Sequence, residues 1–236
     1  MLAAPRQRLC VLRNQLCSGS DASNARGGNY IQLGSMVMKV NEPRHPEKVP
    51  RGYVERLRLY GSPTPHEDDA RPQQEHLQTI RFIMQKLKMR QDIFLLGVPG
   101  ALRRHIALAV CELLQLECEY VQLSADTTES SIKQRREIRS GTSSFVDGAS
   151  VLAAIHGRVL ILDGMEKAER NVLPVLNNLL ENREMQLDDG RMLVSPERYQ
   201  QLLDDGEYSQ SEMDAQGLVP VHPDFRILAL GLPVPP

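Results

Sequence analysis

The chain has 236 residues, 41% of them apolar and 25% charged, with a formal net charge of −2. That length carries one sizeable domain with an extension, or two small ones, and the balanced charge gives no overall pull toward nucleic acid or an anionic membrane. No run approaches the ~20 apolar residues of a membrane-spanning helix. The four cysteines (Cys10, Cys17, Cys111, Cys118) form no C-x-x-C pair and the six histidines no H-E-x-x-H pattern, so no metalloenzyme is expected.

Residues 1–28 carry Arg6, Arg8, Arg13 and Arg26 against the single acid Asp21, with Leu9, Leu12 and Leu16 on one helical face. An arginine-bearing, acid-poor, weakly amphipathic start has the character of a mitochondrial presequence, which predicts a matrix location; the plain alternative is a tail without structure and a cytoplasmic chain. Residues 29–72 form an extension. A short hairpin is expected at Tyr30–Leu33 and Val37–Val40, followed by a proline-rich lead (Pro43, Pro46, Pro50) and a linker over Gly61–Pro72.

From residue 73 to 236 the pattern is that of one α/β domain. Leu77, Ile80, Ile83, Met84 and Leu87 make one apolar helix face. Strand Ile93–Leu96 is continuously apolar, as a strand covered on both faces is. A helix over Leu102–Leu116 and a strand over Tyr120–Leu123 follow. Next come a helix around Ser130–Ile138 capped by Ser124 or Asp126, a helix over Ala149–Ile155, and a strand over Arg158–Leu162. A helix over Asn171–Arg183 tolerates Pro174 in its first turns. Met185–Leu187 and Arg191–Val194 flank a glycine turn and read as a hairpin. Ser195-Pro196-Glu197 restarts a helix, residues 204–214 read as a solvated acidic excursion, and Phe225–Leu230 is the last strand. Strands alternating with helices at these lengths predict a parallel sheet with helices on both faces, a three-layer αβα sandwich.

The strand-to-helix junction holds the most informative residues. Consecutive backbone amides followed by a helix N-terminus form an anion site, and Gly97 and Gly100 permit the tight turn it needs, with Pro99 stiffening it. On the frame G-x-x-x-x-G-K-[ST], Gly97 is the first glycine, with Val98, Pro99, Gly100 and Ala101 after it. Leu102 stands at the last glycine, Arg103 at the lysine and Arg104 at the hydroxyl residue. Leu102 adds bulk where backbone would wrap a phosphate. Arg103 keeps the charge in a longer, forked form, and Arg104 removes the hydroxyl that would hold Mg²⁺. Asp163 ends an apolar strand, suited to orient Mg²⁺ through water. Glu166 and Glu169 read as a charged helix start. Lys133, Arg135, Arg136 and Arg139 read as a solvated helix face, with a nucleic-acid contact as the less favoured reading, so no nucleic-acid partner is expected.

Together these residues resemble the dynein-related, MoxR-like branch of AAA+ ATPases. In that branch the first motif runs G-P-P-G-x-G-K-[ST], against Gly97 to Arg104 here, and the second runs D-E-x-N-K-A, against Asp163-Gly164-Met165-Glu166-Lys167-Ala168. A hairpin carrying D-G-R is matched by Asp189-Gly190-Arg191. The motif F-R-x-I-A-x-x-N-P is matched by Phe225-Arg226-Ile227-Leu228-Ala229 and Pro233, with Leu232 at the sensor asparagine. The stretches 126–130, 133–138 and 166–186 also resemble the first module of a larger mitochondrial member of that branch, and the resemblance covers about residues 75–235. It implies a P-loop NTPase fold, ATP with Mg²⁺ as cofactor at residues 97–104 and Asp163, and other AAA+ modules or protomers of a ring as partners. It also implies that the helical lid lies beyond Pro236, so that the domain over 73–236 is incomplete at its C-terminus. The expected glutamate base is replaced by Gly164, so no catalytic residue is expected and the chain alone is expected to hydrolyse little or no ATP. The alternative is a structural module of AAA+ shape that binds no nucleotide.

Overall fold

The computed structural model describes residues 30–59, 70–139, 141–206 and 208–233. The expected presequence and most of the expected linker lie outside them. Two compact units are formed, one by residues up to 93 together with 100–117, the other by 94–99 together with 118 onward.

In the first unit, strands β1 (Tyr30–Leu33) and β2 (Met36–Lys39) pair antiparallel as the expected hairpin. Helices α1 (Tyr53–Leu59), α2 (Ala70–Lys88) and α3 (Leu102–Leu114) complete it. The sequence periodicity gave no hint of α1. It begins without a side-chain cap of its own; the carboxylate of Glu112 on α3 accepts the amide protons of Gly52, Tyr53 and Val54 at 2.8, 2.7 and 3.0 Å. An acid at the positive end of a helix both satisfies orphan donors and complements the dipole. Helix α2 starts at Ala70, so Ala70–Pro72 are helix, not linker; a proline in the first turn costs no hydrogen bond. Its expected face is correct: Ile80, Ile83 and Met84 are buried. Helix α3 buries Ile106 through Cys111, Leu113 and Leu114, and ends on Gln115 in the left-handed region at φ 53°.

The second unit is built on a four-stranded parallel sheet. It contains β3 (Ile93–Leu96), β4 (Cys118–Gln122), β7 (Val159–Asp163) and β11 (Arg226–Gly231) in the order β3-β11-β7-β4. Both β4 and β11 run parallel to β7, with Leu160 opposite Glu119 on one side and Ile227 on the other. Central strand β7 is buried from Val159 to Leu162. Helices α5 (Ala149–His156) and α6 (Val172–Glu181) cover the face that carries Leu160, Leu162 and Ile227, with Val151, Ala154, Leu176, Leu179 and Phe225 in the same core. This is the expected α/β class, consistent with a P-loop NTPase fold.

Strand β3 does not fit the expectation of cover on both faces. It is the edge strand, and Phe94 and Leu96 are each 57% exposed. A continuous apolar run conceals that alternation, because periodicity cannot tell an edge strand with an apolar outer row from a central one.

The expected helix over Ser130–Ile138 is also corrected. A single turn, α4 (Glu129–Ile132), gives way to strand β5 (Gln134–Arg139), which pairs antiparallel with β6 (Thr142–Asp147). The turn is capped by Thr128, whose amide donates to Ser131 Oγ at 3.2 Å, rather than by Ser124 or Asp126. Arg135, Arg136 and Arg139 therefore lie on a β-ribbon, with Lys133 at the end of the turn before it. Strands β8 (Met185–Gln186) and β9 (Met192–Val194) form the expected hairpin. Helix α7 (Pro196–Asp204) is capped by Ser195 Oγ, which accepts from the Arg198 amide at 3.2 Å. The acidic stretch is not wholly an excursion. Helix α8 (Gln210–Ala215) forms there with a Ser209/Glu212 capping box and a fully buried Met213, and β10 (Leu218–Pro220) then pairs parallel with β9. A short helix around one buried residue has too little amphipathic signal to outweigh its charge.

Candidate functional site

All the strands of the parallel sheet send their C-terminal ends to one edge, where ligands of open α/β sheets bind. Gly97, Val98 and Pro99 leave β3 at that edge, and Asp163 ends β7 on it, with β11 between them. At the usual strand spacing that sets β3 and β7 about 10 Å apart. In the other unit Gly100, Ala101, Leu102, Arg103 and Arg104 lead into and open α3. Gly100 has φ +141°, a backbone that L side chains rarely adopt, and the space where its side chain would be is open. Ala101 at the N-cap makes no side-chain cap bond. These are the features a phosphate requires.

Asp163 is half-buried, and its Oδ2 accepts the hydroxyl proton of Tyr120 on neighbouring β4 at 2.6 Å. Sequence reasoning missed Tyr120. Only the register, which sets Tyr120 opposite Ile161, puts the two side chains within reach. Mg²⁺ takes one or two protein oxygens and keeps several waters. Asp163 is one such donor, but Arg104 stands at the hydroxyl position, which leaves the donor set one ligand short.

Gly164 is buried in the left-handed region at φ +90°, with its amide donating to the Leu230 carbonyl at 3.0 Å. A Cβ added there would lie 3.0 Å from the Leu123 carbonyl oxygen. The position where a base is expected is thus a tight backbone crossing, where a side chain would press on the Leu123 carbonyl. Glu166, read from sequence as part of a charged helix start, lies in a 3-10 turn over Met165–Lys167. Its Oε2 accepts the amide of Leu232, the residue at the sensor position, at 3.2 Å. It reaches the end of β11, which sequence spacing alone does not reveal.

The D-G-R residues have a definite structural role. Gln134 Nε2 donates to Asp147 at 2.7 Å and to Asp189 at 2.9 Å, while Arg191 donates to Asp189 at 2.7 Å and to Asp147 at 2.6 Å. The closed set ties the root of the β5–β6 ribbon to the β8–β9 turn. Burial pushes the Asp189 carboxyl upward, but hydrogen bonds from Gln134 and Arg191, with the arginine's charge, outweigh it and hold the group below its ordinary value. For Arg191 burial works downward and is outweighed by Asp189 and Asp147, which raise it. In the first unit His105 packs against Tyr53 with ring centroids 5.6 Å apart. Its pKa is lowered by burial first, then by the charges of Arg56 and Arg104.

Fold and loop together define a P-loop nucleoside-triphosphatase module. The family model for the AAA domain (dynein-related subfamily) matches residues 92–236, and the chain belongs to that family. It is similar to von Willebrand factor A domain-containing protein 8 of Mus musculus, with 50% identity over 208 residues that make up 88% of this chain and 10% of the mouse protein. The chain therefore spans about a tenth of the length of that curated relative. A crystal structure of a candidate ATPase from Cytophaga hutchinsonii matches at TM-score 0.44 and 14% identity, over 77% of this chain and 47% of that one.

Proposed function

We propose that this chain is the ATP-binding module of a ring-type mitochondrial ATPase, and that by itself it hydrolyses little or no ATP. Membership of the AAA family supports nucleotide binding. The observation that carries the reading is the shared sheet edge, on which the residues opening the glycine loop and Asp163 both lie. Arg103 supplies charge to the phosphates, and the amides at the start of α3 donate hydrogen bonds to the anion.

Weak hydrolysis follows from what is missing around those groups. In-line attack on a terminal phosphate needs a positioned water, a metal held in place and stabilisation of the transferred charge. Gly164 offers no base, Arg104 no hydroxyl and Leu232 no amide side chain. Hydrolysis in the assembled protein then falls to other modules. The ring partners are other AAA+ modules or protomers. Matrix location rests on the arginine-bearing start at residues 1–28 and is tested by whether deleting those residues abolishes mitochondrial import.

A second reading has its own observation: Leu102 and Arg104 replace residues that wrap and neutralise phosphates, which favours a structural module without nucleotide. Titration with fluorescent ATP and Mg²⁺ separates the two. Saturable binding, weakened by Arg103→Ala, supports the first. Absence of binding at millimolar ATP supports the second.

A further inference from the structure

The residues of the glycine loop and of strand β7 do not fit Mg²⁺, and the misfit has a direction. In a phosphate loop the ion is held by a hydroxyl at the helix start and by an acid at the strand tip. Arg104 occupies the hydroxyl position with a permanent positive charge, hydrogen-bond donors and no acceptor. At the strand tip, Asp163 Oδ2 already accepts the Tyr120 hydroxyl at 2.6 Å, so one of its two oxygens is engaged by protein. The positions that follow do not make up the shortfall. Gly164 has no side chain, and Glu166 Oε2 accepts the Leu232 amide at 3.2 Å.

What replaces the missing ligands is positive charge. Helix α3 opens with Leu102, Arg103 and Arg104 and has no acid in its first turn. The N-terminal end of a helix dipole favours acids, so two arginines there add to a potential that is already positive. Helix α1 brings a third guanidinium to the same region. Arg56 lies over the Tyr53 ring at 5.1 Å, and that ring packs against His105 on α3 at 5.6 Å. Burial first, and then the charges of Arg56 and Arg104, disfavour the imidazolium of His105. A triphosphate carries the negative charge that this end of α3 lacks. Guanidinium binds phosphate oxygens through a planar fork, and a divalent cation on the same oxygens would stand against it at like charge. On the strength of the nucleotide reading above, on which it depends, we propose that the Arg104 guanidinium stands in for the divalent cation, so that the loop binds a nucleoside triphosphate without needing Mg²⁺.

The test titrates the full chain into ATP carrying a fluorophore on its ribose and follows anisotropy, once in millimolar Mg²⁺ and once in excess EDTA. The dissociation constant in EDTA is expected to lie within about threefold of that in Mg²⁺, or below it. Arg104→Ser removes the charge and restores the hydroxyl. It is expected to bind at least about tenfold more weakly than wild type in EDTA, and to recover on adding Mg²⁺. Circular dichroism checks that the variant keeps its fold. Wild-type binding at least about tenfold tighter in Mg²⁺ than in EDTA would overturn the proposal and leave the nucleotide reading intact. So would a folded Arg104→Ser chain that binds in EDTA as wild type does. Absence of saturable binding in both buffers would overturn the nucleotide reading and this proposal together.

Discussion

Replacing Gly164 with glutamate restores the letter of the family motif, and the structure predicts that it restores nothing else. The residue sits at φ +90°, where an L side chain costs about 1–2 kcal/mol, and its Cβ would lie 3.0 Å from the Leu123 carbonyl oxygen. That oxygen belongs to backbone and cannot swing aside. Relieving the contact shifts either the end of β4 or the amide bond from Gly164 to the Leu230 carbonyl. The combined cost is about 2–3 kcal/mol. Gly164→Ala should show nearly the same loss, because the first side-chain atom causes it. Urea unfolding followed by circular dichroism measures both variants, and a phosphate-release assay measures turnover. A Gly164→Glu protein as stable as wild type, or one that gains ATPase activity, would refute this reasoning.

Glu119 and Arg158 form a buried ion pair at 2.7 Å, with side chains 10% and 6% exposed. Glu119→Ala removes the buried carboxylate paired with Arg158 and is expected to cost about 3–5 kcal/mol in urea unfolding, whereas Glu119→Leu/Arg158→Met together cost far less. Asp189 is held below its ordinary value of 3.8, so the folded chain releases this proton more readily than the unfolded one. Its contribution is complete above that value and is lost as pH falls through the lower folded one; Asp189→Asn should flatten this acid limb of a stability-versus-pH curve. Glu112→Ala removes the acceptor of three amides at the start of α1. Hydrogen exchange over residues 52–59 should quicken about 5- to 30-fold, matching a loss of about 1–2 kcal/mol.

Strongly periodic or turn-delimited elements were legible in the sequence. The face of α2 made by Ile80, Ile83 and Met84, strand β3, helix α3, the β8–β9 hairpin and the Ser195 cap all stand where their patterns put them. Failures came where the deciding interaction is distant in sequence. Residues 134–139 look helical until their partner strand at 142–147 is known, and α1 starts where it does because of Glu112. The sheet edge of the candidate site was legible from two apolar strands, one running into Gly97 and one ending in Asp163. The partners that shape it, Tyr120 on Asp163 and Glu166 on Leu232, depend on strand register and on the path of a 3-10 turn. The replacement of the base by Gly164 was plain from the letters, but the closed space behind it was not.

The central claim is that backbone amides of residues 97–104 take the phosphates of ATP. Hydrogen–deuterium exchange of the chain with and without millimolar ATP and Mg²⁺ reads those amides directly. Slowed exchange across 97–104 that disappears in Arg103→Ala is the predicted result. Exchange in that segment unchanged by ATP would contradict the account.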